Sequence, residues 1–137
     1  MKTLIIDASV AIKWFIPEDG SIAALRFLNG KRELIAPDLI RPEVGNIIWK
    51  LHSRHLLNAD EASQIIDDFL SLPIEIHDSE SLMASAFEIA IETDRTVYDS
   101  LYLALAIKTH GIMVTADERF ANALKNTDFT QFISLLR

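Results

Sequence analysis

The chain has 137 residues, enough for one domain that buries roughly 70% of the surface its unfolded chain would expose, and too few for two independent domains. Half of the residues are hydrophobic, with only 4 Gly, 4 Pro and no low-complexity tract, which excludes a disordered or fibrous chain. The absence of cysteine excludes disulfides, thiolate zinc sites and cysteine nucleophiles, and 13 basic against 20 acidic residues (net −7) weigh against a simple basic surface for nucleic acid.

Residues 2–6 (KTLII) are a short apolar run predicted as the first strand, with Asp7, Ala8 and Ser9 at its end. No run approaches the ~18 apolar residues of a membrane span, so a soluble, cytoplasmic protein without membrane association is expected. A helix over Ser9–Phe15 follows, capped by Ser9 and stopped by Pro17. Asp19 or Ser21 can open a second helix, in which Ile22, Leu25 and Leu28 recur at helical spacing up to Asn29-Gly30. Glu33–Ala36 reads as the second strand, closed by Pro37.

From Asp38 to about His52, Ile40, Val44, Ile47, Ile48 and Leu51 form a helical stripe, and Glu43 lies on or beside it, where a solvated glutamate would not. Pro42 lacks an N–H, so the first turn is expected to be irregular, or the helix to start nearer Arg41. Asn58–Leu72 is a second amphipathic helix, with Asn58 as cap, Glu61 three residues on, and Ile65, Ile66, Phe69 and Leu70 as its buried face. Residues 74–76 make a third strand, and a helix from Ser79 or Ser81 runs through Met83, Ala86, Phe87, Ala90 and Ile91 to a break at Asp94-Arg95. Tyr98–Lys108 is apolar nearly all round, as in a helix packed on both sides. His110-Gly111 ends it, Ile112–Val114 is the fourth strand, Asp117–Lys125 the last substantial helix, and Phe129–Leu136 holds a fifth short strand. Strands alternating with helices imply a single domain over residues 1–137, a three-layer α/β/α sandwich around a mainly parallel sheet.

Such sheets bind ligands beyond the carboxyl ends of their strands, where helices begin. Asp7 and Asp117 fall just past strand ends, and Glu43 and Asp99 lie near helix starts that can face the same edge. Each also has an ordinary explanation: Thr96-x-x-Asp99 and Thr115-x-x-Glu118 are capping-box patterns, and Asp117 could serve only a helix N-terminus. Gathered together, however, four carboxylates would repel and take up protons unless a cation were bound. Oxygen ligands without Cys or nearby His favour Mg²⁺ or Mn²⁺ over zinc, and the natural chemistry is phosphodiester hydrolysis by a metal-activated water. The ion's own charge also softens the objection raised by the acidic balance.

The pieces LIIDAS, PDLIRPEVGNIIWK, TVYDSLYLALA and VTADERF resemble, in order and across nearly the whole chain, the four acidic motifs of the PIN-domain family. This small single-domain form is similar to the VapC toxins of VapBC toxin–antitoxin systems. The resemblance implies a central parallel sheet of five strands and a Mg²⁺- or Mn²⁺-dependent endoribonuclease held inactive by a cognate VapB-type antitoxin. It implies that Asp7, Glu43, Asp99 and Asp117 are the metal-site carboxylates, with Asp7 and Asp99 the direct ligands, and that Ser9 and Thr115 support them. It also implies a homodimer, to which apolar positions around Trp14, Ile48 and Trp49 could contribute. Two departures from the family pattern stand out: Ser100 follows the third aspartate in place of the common alanine, and Pro42 beside Glu43 leaves that carboxylate's aim open.

Lys13, Arg95 and Arg119 flank these motifs and are candidates for contacting RNA, with solvated surface charge as the alternative. Trp14, Phe15 and Trp49 could stack bases, although aromatics at helical spacing more often pack in a core or interface. The four histidines show no ligand spacing with the carboxylates. A receiver-type signalling module would need adjacent acidic residues after the first strand and a late lysine. A phosphatase of the haloacid dehalogenase type would need a second aspartate where Ser9 stands. A non-catalytic PIN-like scaffold is the remaining rival, which a metal-binding measurement separates.

Overall fold

The computed structural model describes residues 3–136, so Lys2, part of the expected first strand, lies outside the described residues. Five strands form one sheet: β1 (Leu4–Ile6), β2 (Leu34–Pro37), β3 (Glu75–His77), β4 (Ile112–Thr115) and β5 (Ile133–Leu135). All neighbours are parallel, in the order β3-β2-β1-β4-β5. Successive strand side chains point to opposite faces, yet Leu4, Ile5 and Ile6 are all buried, so both faces of β1 are covered. The edge strands β3 and β5 are only partly buried.

Seven α-helices connect these strands among the described residues: α1 (Ala8–Ala11), α2 (Ser21–Leu25), α3 (Ile40–Ser53), α4 (Ala59–Leu70), α5 (Met83–Thr93), α6 (Val97–Thr109) and α7 (Glu118–Ala123). As its composition requires, α6 is buried continuously from Ser100 to Ala106, packed against β1, β2 and β4 on one side and α5 on another. It ends at His110 in a left-handed conformation, followed by Gly111, where a Cβ would sit 2.6 Å from the Thr3 carbonyl oxygen. Only glycine fits that approach.

Several local expectations shift. The cap of α1 is Asp7 rather than Ser9: β1 ends at Ile6, the chain turns at once, and the Asp7 carboxylate accepts from the Val10 N–H. The helix then tightens into a 3₁₀ turn over Ile12–Trp14. The next helix starts at Ser21 after a left-handed Gly20 and becomes 3₁₀ at Arg26–Leu28. It buries Ala24 and leaves Ile22 74% and Leu25 47% exposed, so the side read as apolar faces outward: a helix of five residues is too short for that spacing to fix which side meets the core. Pro42 is absorbed in the first turn of α3, where no helical carbonyl needs its missing N–H, and that turn is tightened, with Arg41 N–H on the Asp38 carbonyl. The Asn58–Glu61 capping box forms as expected, but α4 fully buries only Phe69 and exposes Leu70. On α5 the buried positions are Ala86 and Ile89, with Met83, Phe87 and Ile91 exposed.

Candidate active site

The strand order reverses between β1 and β4, which pair side by side with Ile6 opposite Val114. This is the switch point at which an open α/β sheet forms a crevice beyond its strand ends. Asp7 is the first residue past β1, and Asp117 follows β4 by two. Ser9 stitches the two loops together: its hydroxyl donates to Asp7 Oδ1 at 2.6 Å and accepts from the Ala116 N–H at 3.0 Å. The buried Thr115 hydroxyl accepts from the Asp117 N–H at 3.0 Å, and Asp117 Oδ1 caps α7 by accepting from the Phe120 N–H at 3.1 Å.

The other two carboxylates arrive on helices. Glu43 lies in the first turn of α3, and its Oε1 accepts a short hydrogen bond from the Tyr102 hydroxyl. Asp99 lies in the first turn of α6, its N–H on the Thr96 hydroxyl, so the capping function of Thr96 and the placement of Asp99 coexist. Asp99 Oδ2 pairs with the Arg95 guanidinium at 2.9 Å, and the same nitrogen lies 3.6 Å from Asp117 Oδ2. The guanidinium also stacks 4.9 Å over the Phe120 ring.

The charges respond to burial. Asp7 is 7% exposed, and desolvation pushes its pKa up to about 6. Hydrogen bonds from Ser9, Thr115 and the Val10 N–H oppose the rise, and the negative charge of Glu43 adds to it. Burial also raises Glu43, against the Tyr102 hydrogen bond and with the charge of Asp99. Burial first, and then the charge of Glu43, hold the Tyr102 phenol far above its ordinary range, so it stays a hydrogen-bond donor. Asp7, Glu43 and Asp99 thus form one electrostatically linked row, and Arg95 ties Asp117 to its end.

This donor set fits a hard divalent cation: oxygen ligands only, with two carboxyl groups pushed up by burial that positive charge would relieve. Among the described residues, no three His, Cys, Asp or Glu side chains surround a common point closely enough to cage an ion. In this arrangement Arg95 holds the position between Asp99 and Asp117 instead.

The basic candidates divide. Lys13 is turned to Glu18 at 3.0 Å and to the Asp19 carbonyl at 2.6 Å, Arg95 is committed to carboxylates, and Arg119 is exposed on α7. Trp14 is buried, its indole donating to the Ala24 carbonyl at 2.8 Å, and Phe15 packs edge-on against Phe69. Of the apolar positions expected at an interface, Trp14 and Ile48 are therefore core residues, because each faces inward from its helix, and only Trp49, 60% exposed, remains available. The sequence reading missed Tyr102 and the pairing of Arg95. Tyr102 lies three residues after Asp99 on the same helix, which was the available signal; Arg95 precedes the cap Thr96, outside the helix, and its reach to Asp117 has no local signal.

The chain matches the family model described as PIN domain over residues 4–125. It is 35% identical over 120 residues to Ribonuclease VapC3 of Pyrobaculum aerophilum, covering 86% of this chain and 92% of that protein. Among solved structures it resembles PAE2754 from Pyrobaculum aerophilum, with a TM-score of 0.72 at 21% identity, covering 92% of this chain and 82% of that one. It also resembles VapBC2 from Rickettsia felis, solved bound to a DNA fragment from their promoter, with a TM-score of 0.66 at 14% identity, covering 98% and 99% of the two chains.

Proposed function

The chain belongs to the PIN-domain family, and from that premise we propose that it is a VapC-type endoribonuclease, the toxin of a type II toxin–antitoxin pair, dependent on Mg²⁺ or Mn²⁺. The observation that carries this reading is the row Asp7, Glu43 and Asp99, partly desolvated and mutually repelling at the β1–β4 switch point, with Asp117 joined to it through Arg95. The resemblance to a ribonuclease supports RNA as substrate and a VapB-type antitoxin as partner.

In this reading Asp7 and Asp99 are direct metal ligands, and Glu43 and Asp117 complete the site. When bound, the ion supplies a water acidic enough to attack phosphorus at neutral pH and positive charge for the oxygens of the phosphate. The chain's own residues prepare the geometry. Ser9 and the Val10 N–H fix Asp7 Oδ1 and so set the plane of its carboxylate. The Tyr102 hydroxyl fixes Glu43 Oε1, which leaves Oε2 as a free acceptor for a ligand or a proton. Arg119, exposed on α7, is the candidate for the RNA backbone, with Lys13 and Arg95 available only if their present pairs open.

The test is cleavage of a panel of labelled structured RNAs by the purified chain in Mn²⁺, beside EDTA and Asp99→Asn controls. Cleavage lost in both controls is expected. Cleavage that persists in EDTA overturns the metal reading, and no Mn²⁺ binding by calorimetry favours a protein-binding scaffold. The family likeness also supports a homodimer, which light scattering at micromolar concentration checks; a monomer there removes it.

A further inference from the structure

We infer that Arg95 is a built-in counter-cation of the acidic cleft, occupying the gap between Asp99 and Asp117 in the metal-free chain and leaving it when a divalent ion binds. This rests on the metal reading above and adds a competition within the chain itself.

Four observations support it. The Arg95 guanidinium reaches both carboxylates, at 2.9 Å from Asp99 and 3.6 Å from Asp117, although they lie on different helices. Its side chain is only 23% exposed, so the pairing is less screened than a surface ion pair. The guanidinium carbon lies 4.9 Å from the centre of the Phe120 ring, a cation–π contact that adds to its hold. Finally, Arg95 Nε is buried without a hydrogen-bond partner among the described residues, so the arginine is held by the carboxylates and the ring while one of its own donors is unmet. Swinging away exchanges the Asp99 hydrogen bond for the chance to satisfy that donor.

The physical need is plain. Without a cation, the row of carboxylates repels itself, and a guanidinium nitrogen set near two of its members relieves part of that repulsion. A divalent ion carries twice the charge and, in the metal reading, would draw on the Asp99 carboxylate that Arg95 now holds. The two cations would then compete for one carboxylate, and the apparent metal affinity would be lowered by the fraction of molecules in which Arg95 is seated. Once displaced, Arg95 stays tethered four residues from Asp99, within reach of an anionic phosphate entering the cleft.

The experiment is calorimetric titration of Mn²⁺ into the metal-free chain, wild type against R95Q, together with the Arg95 Nε–Hε resonance of ¹⁵N-labelled wild type during a Mg²⁺ titration. R95Q is expected to bind Mn²⁺ about tenfold more tightly, as it would if Arg95 were seated in roughly nine molecules of ten. The Arg95 resonance is expected to move as Mg²⁺ saturates. Wild type that binds Mn²⁺ while R95Q binds it no more tightly, or an Arg95 resonance unmoved at saturation, overturns the inference and leaves the metal reading standing. Wild type that binds no Mn²⁺ overturns both. If R95Q does not fold, R95M replaces it, because methionine keeps an apolar stem of similar length and carries no charge; an Mn²⁺ affinity equal to wild type then overturns the inference.

Discussion

The inner and outer halves of the acidic crevice balance their charge by opposite means. The inner pair, Asp7 and Glu43, is held by neutral hydroxyls from Ser9, Thr115 and Tyr102 and has no cationic partner among the described residues. The outer pair, Asp99 and Asp117, is about one-third and two-fifths exposed at its side chains and shares Arg95. Several hydrogen bonds do not bring Asp7 back to its ordinary range, and it stays at about 6. Neutral donors aim a buried carboxylate but do not replace a counter-charge. The inner half therefore stores the demand for a cation, and the outer half shows how one meets it.

The comparison can be broken most decisively by chemistry. Asp7→Asn from the inner half and Asp99→Asn from the outer should each lower RNA cleavage on the order of 10³-fold with unchanged circular dichroism, since each removes charge at nearly constant volume. A loss in only one variant would mean that the halves are not one site.

Stability should then separate what activity joins. The folded pKa of Asp7 lies above its ordinary 3.8, so the folded chain binds that proton more tightly than the unfolded chain. Its contribution is therefore fully present below about pH 4 and is lost as the pH rises to about 6, amounting to ~3 kcal/mol at 1.36 kcal/mol per pKa unit. In EDTA, Asp7→Asn should be more stable than wild type above pH 7 by about 2 kcal/mol, because asparagine also caps a helix, and the advantage should vanish near pH 4. Asp117→Asn should show no such gain. Urea unfolding of the three proteins across pH 4–8 measures this, and a pH-independent difference for Asp7→Asn would contradict the assignment of burial as the cause.

Smaller effects sharpen the picture. Tyr102→Phe leaves Glu43 without its donor and should cost about 1 kcal/mol of stability and about tenfold in cleavage, read by denaturation and by initial rates. Ser100 is buried with its hydroxyl unpartnered among the described residues, beside the outer half of the site. Ser100→Ala should leave cleavage unchanged and raise stability by up to ~1 kcal/mol, whereas a loss of stability would reveal a partner for the hydroxyl.

Much of this was legible in the chain. All five strands fall where short apolar runs lie between helix patterns, and the all-round apolarity of Tyr98–Lys108 marks the helix that packs beneath the crevice. The capping box at Asn58 and the stop at His110-Gly111 are local chemistry and were readable as such. Less legible were the buried faces of short helices. Two turns supply too few positions to fix a phase, and in the helix at Ser21–Leu25 it is Ala24 that meets the core while Ile22 and Leu25 face solvent. The interface reading at Trp14 and Ile48 failed for a related reason: a large apolar side chain looks the same in sequence whether it faces the core or a partner.

By itself, the sequence determined the order of strands and main helices and their parallel arrangement, because periodicity, caps and strand ends are encoded within a few residues of one another. The tertiary structure alone decided that Tyr102 would orient Glu43, 59 residues away, and that Arg95 would reach from Asp99 to Asp117. Pairing across the crevice depends on where separate elements meet, and local pattern does not specify that distance.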